Sequence, residues 1–340
     1  MRTGILTYWG VANFGAFTQA YALNKSLTQM CNDKNTDIRH IAYLAPQHKE
    51  AYKKLYPYEN FDRAWDTIPH ISFPDAEALE RYHFDSIITG SDSIWDYTHP
   101  EFSGDDRHLI GNDLNADKIY SYAASFGAMT ENSRFPCFVA KGLRKYSNIS
   151  VRDENSRMLV HDFLGYDPAV VVDPSLLWNF KGDPAIPDVT DKYGGGQYIL
   201  VYGEKFPMEM IASVIRYAEK ANLKIIGAGL APRWCDQRLF GSLLDPYEWL
   251  GLFRNASLVV TCTFHGLMMS LNFEKKILFY QTEFVKNRSQ WLIEKLELED
   301  VLLSNSLEKT IKYTWDYKAI NNRKKLLVDK SLEYLESILN

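Results

Sequence analysis

Residues 257–270 read Ser257-Leu258-Val259-Val260-Thr261-Cys262-Thr263-Phe264-His265-Gly266-Leu267-Met268-Met269-Ser270. An apolar, partly β-branched run that gives way to small polar residues and then to a second apolar stretch is a buried strand handing over to a helix. The spacing predicts that the helix begins near Gly266. Its amides and positive end then point at whatever lies beside His265, which makes this turn an anion site. The helix end disfavours an imidazolium and a bound dianion favours it, so ligand binding is expected to protonate His265. A lone histidine is more often a structural residue. A histidine at such a turn, followed by glycine, is a better candidate than His40, His48, His70, His83, His99, His108 or His161, which have no comparable setting.

Outward from this turn the same alternation recurs. GILTYW, DSIIT, KIYSYAAS, NISVR and AVVVD in the first half, and QYILVY, KIIGAG, SLVVTC and KILFY in the second, are short apolar runs separated by helical stretches. This pattern argues for parallel sheets with crossover helices, an α/β fold. A first helix from Gly15 to about Gln29 has Phe17, Ala20, Leu23 and Leu27 at helical spacing. A chain of 340 residues exceeds what one core usually supports, so two domains are expected: 1–180 and 197–340. The Pro-, Gly- and Asp-rich stretch 181–196 reads as a linker. From about Trp315 to Leu339 an amphipathic helix closes the chain, expected to pack back on the N-terminal domain.

Hydrophobic residues make up 46% and charged residues 24%, an ordinary folded composition. A formal charge of -5 and a pI of about 5.9 give no field that attracts nucleic acid, so an anionic ligand needs a local site. Cys31, Cys137, Cys235 and Cys262 form no C-x-x-C pair and suggest neither a zinc site nor a disulfide framework. The start MRTGILTYWG does not have the pattern of a signal peptide, and the stretch from Leu258 to Phe273 is broken by His265, Ser270 and Asn272, so no membrane span is expected. A cytoplasmic setting follows as the expectation.

Three further segments combine glycine with polar or charged residues at the ends of predicted strands, where open α/β sheets bind ligands. In Tyr8-Trp9-Gly10-Val11-Ala12-Asn13-Phe14-Gly15 the glycine spacing is that of a P-loop, but Ala16 and Phe17 stand where Lys and Ser/Thr are required, so a nucleoside triphosphate site is not indicated. Asn13 either faces a ligand or caps the following helix. In Gly90-Ser91-Asp92-Ser93-Ile94-Trp95-Asp96 the glycine permits a sharp turn. Ser91 and Asp92 either bind sugar hydroxyls or cap a helix, and Trp95 offers an aromatic face to a carbohydrate or anion pocket. In Ser150-Val151-Arg152-Asp153-Glu154 the guanidinium suits a carboxylate or phosphate, or else forms a surface ion pair with Asp153 or Glu154.

GILTYWGVANFGAFTQAYAL, GSDSIWD, SYAASFG, ISVRDENS, VVDPSLLW, DPYEWLGLFRNASLVVTCTFHGLMMSLNF and VKNRSQWLIEKLEL, in this order, resemble the polysaccharide pyruvyl transferase family. The resemblance runs from residue 4 to about residue 303. It implies two Rossmann-like domains facing a central cleft, GT-B-like, with no metal and no cofactor. The implied enzyme uses phosphoenolpyruvate as co-substrate and a polysaccharide or lipid-linked oligosaccharide precursor as acceptor. It moves the pyruvyl group onto a galactose-like sugar, forms a cyclic ketal and releases phosphate. Carried over by motif, His265 is the histidine implicated in phosphoenolpyruvate binding or catalysis, and Arg152 an arginine that binds the same ligand. Thr263, Phe264 and Gly266 surround that histidine. Some relatives have an arginine where Thr263 stands, so the cation here falls to Arg152, Arg233 or Arg288. Asp92 is the candidate base.

Two rivals share the architecture: a nucleotide-sugar glycosyltransferase and a non-catalytic glycan-binding or assembly protein. The basic cluster Lys318, Arg323, Lys324 and Lys325 reads either as a solvated helix face, the blander reading, or as a peripheral contact with anionic lipid at the inner face of the membrane.

Overall fold

The computed structural model describes residues 1–32, 35–48, 50, 59–99, 102, 104–129, 135–193, 195–241 and 243–339. They fall into two compact units. The first takes in most of the chain up to Trp178 and closes with Leu326 onward; the second takes in Asn179–Lys325.

The first unit is built on β1 (Arg2–Leu6), α1 (Phe14–Met30), β2 (Asp37–Ala42), α2 (Glu59–Trp65), β3 (His70–Ser72), α3 (Ala76–Arg81), β4 (Phe84–Thr89) and β5 (Ala116–Ser121). Its five strands are all parallel in the order β3-β2-β1-β4-β5. After α4 (Cys137–Leu143), the short strands β6 (Ser150–Val151) and β7 (Ala169–Val170) pair with each other on either side of α5 (Glu154–Leu164). Parallel bridges from Tyr120 to Asn148 and from Ala124 to Val151 tie β6 to the sheet.

The second unit repeats the plan. It contains β8 (Tyr198–Tyr202), α6 (Met208–Ala221), β9 (Lys224–Ala228), β10 (Gln237–Leu239), α7 (Pro246–Asn255), β11 (Ala256–Thr261), α8 (Phe264–Asn272) and β12 (Ile277–Phe279). Its strands are parallel in the order β10-β9-β8-β11-β12. After α9 (Glu283–Lys295), α10 (Glu299–Leu302) and α11 (Leu307–Lys312), the long helix α12 (Tyr317–Leu339) ends the chain. The fold is thus α/β, with two Rossmann-like sheets of identical strand order.

In both sheets the order reverses at one place, between β1 and β4 and between β8 and β11. Loops leave these neighbouring strands toward opposite faces, and the crevice at their carboxyl ends is where such sheets bind ligands. The central strands are apolar and buried on both faces: all five residues of β8 and five of six in β11 are buried. The edge strands β3 and β10, and β2 next to β3, are shorter or carry polar residues such as Arg39, His40 and Arg238, and composition did not mark them.

Several local outcomes bear on the expectations above, two of them as departures. Only Ala169 and Val170 of AVVVD pair as strand; the Val171 amide still donates to the Val151 carbonyl at 2.9 Å, and the Val172 amide turns to Ser331 Oγ at 3.0 Å. Residues 181–196, read as a linker, group with the second unit: Ile186, Val189 and Tyr193 are buried, and Arg254 donates to the carbonyls of Lys181, Asp183 and Ile186. The last turns of α12 group with the first unit, where Tyr334, Leu335, Ile338 and Leu339 pack with Ile5, Leu23, Leu27 and Ile88. No described helix is long and apolar enough to cross a membrane.

Candidate functional site

At the switch point of the first unit, Gly90 leaves β4 with φ of 118°, and a Cβ there would sit 2.1 Å from the Tyr122 carbonyl oxygen, so glycine is required. The chain then delivers Ser91 and Asp92 into a buried polar network. Ser91 Oγ donates to Asp173 at 3.2 Å, its amide donates to Gln19 Oε1 at 3.2 Å, and its carbonyl accepts from Thr7 Oγ1 at 3.0 Å. Gln19, on α1, also donates to Thr7 Oγ1 at 3.0 Å.

Arg152, just beyond β6, completes the network. Its guanidinium donates to Asp173 at 2.8 Å and to Asp92 at 3.2 Å, and its side chain is 1% exposed against 0% for Asp173 and 15% for Asp92. Burial alone would lower the arginine pKa, but the charges of Asp92 and Asp173 more than offset it and the net shift is upward. Asp173 further accepts from the amide and hydroxyl of Ser175 at 3.0 and 2.6 Å. The surface pair with Asp153 or Glu154 does not form: Asp153 is buried, caps α5 and accepts from Ser125 Oγ at 2.6 Å, while Glu154 pairs with Arg157. Arg152 therefore holds Asp92 in place, and its own surface is enclosed.

Two other readings at this edge are decided by burial for Trp95 and by hydrogen bonding for Asn13. Trp95 is 0% exposed, packs against Phe126 and Tyr146 and donates its indole N–H to the Leu109 carbonyl at 3.2 Å, so it presents no face to a ligand. Asn13 caps α1, accepting from the amides of Gly15 and Ala16 at 2.9 and 3.1 Å. A buried histidine that composition did not mark also stands here. His48 Nε2 lies 3.1 Å from Asp106, and its ring stacks on Tyr8, which follows β1.

In the second unit the turn after β11 is built from hydroxyls. Thr261 Oγ1 donates to the Tyr202 carbonyl at 2.7 Å and lies 3.0 Å from Thr263 Oγ1, which accepts the Gly266 amide at 3.0 Å. Thr263 is therefore the N-cap, and α8 begins at Phe264, two residues earlier than expected, which places His265 inside the first turn. A Cβ on Gly266 would fall 2.1 Å from Thr261 Oγ1 and 2.7 Å from Thr263 Oγ1, so the hydroxyl ladder needs glycine at this position. The His265 ring is half-buried and stands edge-on to the buried Phe264 ring at 5.3 Å. Cys262 is also buried, and burial pushes its thiol pKa up, which disfavours the nucleophilic thiolate.

Of the two other candidate cations, Arg233 is exposed in the loop after β9. Arg288 is half-buried on α9, which packs against α8, and its guanidinium lies 4.2 Å above the Phe284 ring. In the terminal helix, Arg323 pairs with Glu297 at 2.5 Å and burial lowers the Lys324 pKa, so the basic cluster is not four solvated cations on one face. Among the described residues no group of three or more His, Cys, Asp or Glu could hold a metal ion.

Solved structures of similar architecture agree with this topology. The MnaA–UDP co-structure from S. aureus aligns over 100% of this chain and 98% of its own, with TM-score 0.54 and 13% identity. A putative UDP-N-acetylglucosamine 2-epimerase from Listeria monocytogenes aligns over 94% of each chain, with TM-score 0.52 and 12% identity. A UDP-GlcNAc 2-epimerase from Methanocaldococcus jannaschii aligns over 94% of this chain and 92% of its own, with TM-score 0.53 and 10% identity. At such identities the likeness is one of fold, that of GT-B enzymes. No curated protein sequence matches the chain. The family model for polysaccharide pyruvyl transferase matches residues 13–280, which include Asp92, Arg152 and His265, and the chain belongs to that family.

Proposed function

We propose that the protein transfers the pyruvyl group of phosphoenolpyruvate to a sugar of a glycan or lipid-linked precursor, forming a cyclic ketal. The observation that carries this reading is the place of His265: first turn of a helix, at the switch point of the second unit, in a chain of this family. A helix N-terminus favours an anion, and an imidazole there can bind a phosphate and deliver a proton.

In the chemistry we propose, a proton passes to the methylene carbon of phosphoenolpyruvate, creating the methyl group and oxocarbenium character at the adjacent carbon. One sugar hydroxyl attacks that carbon and loses its proton. A second hydroxyl then displaces phosphate, closing the ketal, and its proton leaves with the phosphate. His265 is the acid, and Asp92, held by Arg152, is the base toward a sugar hydroxyl. Because Arg152 is enclosed, this reading gives the donor's cation to Arg288 or Arg233. The galactose-like acceptor remains part of the same proposal.

The test incubates the protein with phosphoenolpyruvate and a panel of synthetic galactosides, glucosides and mannosides, following phosphate release and ketal formation by mass and NMR. A folded His265→Ala variant should lose phosphate release; near-normal turnover would rule out the role given to His265. Thermal stabilisation by nucleotide sugars and not by phosphoenolpyruvate would favour a glycosyltransferase instead.

A further inference from the structure

The first unit carries a cavity of about 490 Å³ away from the residues described above. It is open to solvent on one side and lined by the C-terminal half of α1, by Thr67–Pro69 just ahead of β3, and by Trp178. Helix α1 runs from the carboxyl end of β1 back toward the amino end of β2, so the cavity lies at the amino edge of the sheet, opposite Asp92. Its volume is within the roughly 300–1,000 Å³ usual for small-molecule sites.

The lining is unusual for a packing defect. Asn24 is 3% exposed, and its Nδ2 has no hydrogen-bond partner. A buried amide left without an acceptor costs about 1–3 kcal/mol, which a ligand oxygen would recover. Gln29 and Thr67 add an amide and a hydroxyl to the wall, and half-buried Trp178 contributes an aromatic side chain. Exposed Lys25 holds its ammonium 5.3 Å from the Tyr21 ring centroid, and among the described residues no Asp or Glu lines the cavity, although the whole chain is acidic.

Among the described residues the lining offers one cation with amides, hydroxyls and aromatic rings, which suits a polar ring with one negative charge better than a nucleoside diphosphate, which needs more positive charge. The polar wall does not suit an acyl chain either. We propose that this cavity is a second saccharide site, taking a pyranose that bears a carboxylate. Trp178 covers the ring face, Asn24 Nδ2 donates to a ring or hydroxyl oxygen, and Lys25 meets the carboxylate. Such a site holds the glycan at a distance from the reacting sugar and raises its effective concentration.

The site does not rest on the pyruvyl donor, so it is tested without phosphoenolpyruvate. The full chain is titrated with methyl β-D-galacturonide and with methyl β-D-galactoside, binding being followed by ligand-observed NMR. The uronide should bind about tenfold more tightly, a difference of about 1.4 kcal/mol. Lys25→Gln should remove that difference with little effect on the neutral sugar, and Trp178→Ala should weaken both by about tenfold or more. Should Trp178→Ala fail to fold, the exposed Lys25 carries the test alone. No saturable binding, equal affinity for the two sugars, or a preference unchanged in Lys25→Gln would each overturn the proposal. Absence of transferase activity with this binding intact would count against pyruvyl transfer and leave the site standing.

Discussion

Replacement of Arg152 by methionine separates a residue that grips ligand from one that holds the site together. The substitution keeps much of the side-chain volume but removes the guanidinium from between Asp173, 0% exposed, and Asp92, 15% exposed. Breaking a buried pair by removing one partner costs about 3–5 kcal/mol, because the remaining charge is stranded. Asp173 keeps its hydrogen bonds from Ser91 and from the amide and hydroxyl of Ser175, and Asp92 is close enough to water to rehydrate. The lower end, about 3 kcal/mol, is therefore expected. For a unit of this size that is a fall in melting temperature of about 6–12 °C. Calorimetry with urea unfolding measures it, and the double variant Arg152→Met/Asp173→Asn should recover much of the loss because no buried charge is then unpaired. A stability loss below about 1 kcal/mol, with phosphoenolpyruvate binding abolished in the folded variant, would refute this account and return Arg152 to the ligand.

Three further outcomes follow from geometry. His40 is fully buried with Nε2 on the Ala20 carbonyl at 3.0 Å, and burial lowers its pKa to about 3. The unfolded chain takes up that proton near pH 6.5, so the stability associated with neutral His40 is complete above 6.5 and is lost as pH falls toward 3. Between pH 7 and 5 about 2 kcal/mol should disappear, and urea midpoints should show that part of the slope missing in His40→Leu. Gly266→Ala, which at an open helical position would gain up to about 1 kcal/mol, should instead lose more than about 2 kcal/mol, since the methyl meets Thr261 and Thr263. Ending the chain after Lys325 removes Tyr334, Leu335, Ile338 and Leu339 from the first unit's core, a gross loss of about 6–12 kcal/mol. Such a protein should expose Ile5 and Leu23 and bind a hydrophobic dye.

What could be read in the sequence divides along contact range. Central strands and α1 were legible because strands buried on both faces are continuous apolar runs. The strand-to-helix turn at Thr261–Gly266 was legible because a cap, a glycine and the flanking periodicity all lie within a few residues. Arg152 was recognised as a site residue, yet its partners were misassigned: Asp153 and Glu154 are adjacent, whereas Asp173 and Asp92 are 21 and 60 residues away. Gln19 with Ser91 and His48 with Asp106 span 72 and 58 residues, and no local pattern marks either pair. Trp95 was misread for the same reason. Ser93 and Asp96 beside it suggested an exposed loop, and only the fold brings Phe126 and Tyr146 around it.

Because the two sheets have the same strand order, topology alone gives each switch point the same capacity for a ligand, and the difference between them must come from side chains. In the first unit two carboxylates, Asp92 and Asp173, face one guanidinium, so the network carries a net charge of -1. Bringing a phosphate and a carboxylate to that edge is opposed, whereas a neutral polyol that donates a hydroxyl to Asp92 is not. In the second unit the turn from Cys262 to Gly266 holds no carboxylate, and Glu204 beyond β8 is followed by Lys205. It offers a helix N-terminus, two threonine hydroxyls and an imidazole, and α9 with Arg288 packs against the same helix. Under the proposed reaction, these charges favour the second unit for the anionic donor and the first for the sugar. Enclosure of Arg152 reinforces that division: a guanidinium already shared by two carboxylates is poorly placed to attract a third anion, but well placed to keep Asp92 where a hydroxyl can reach it.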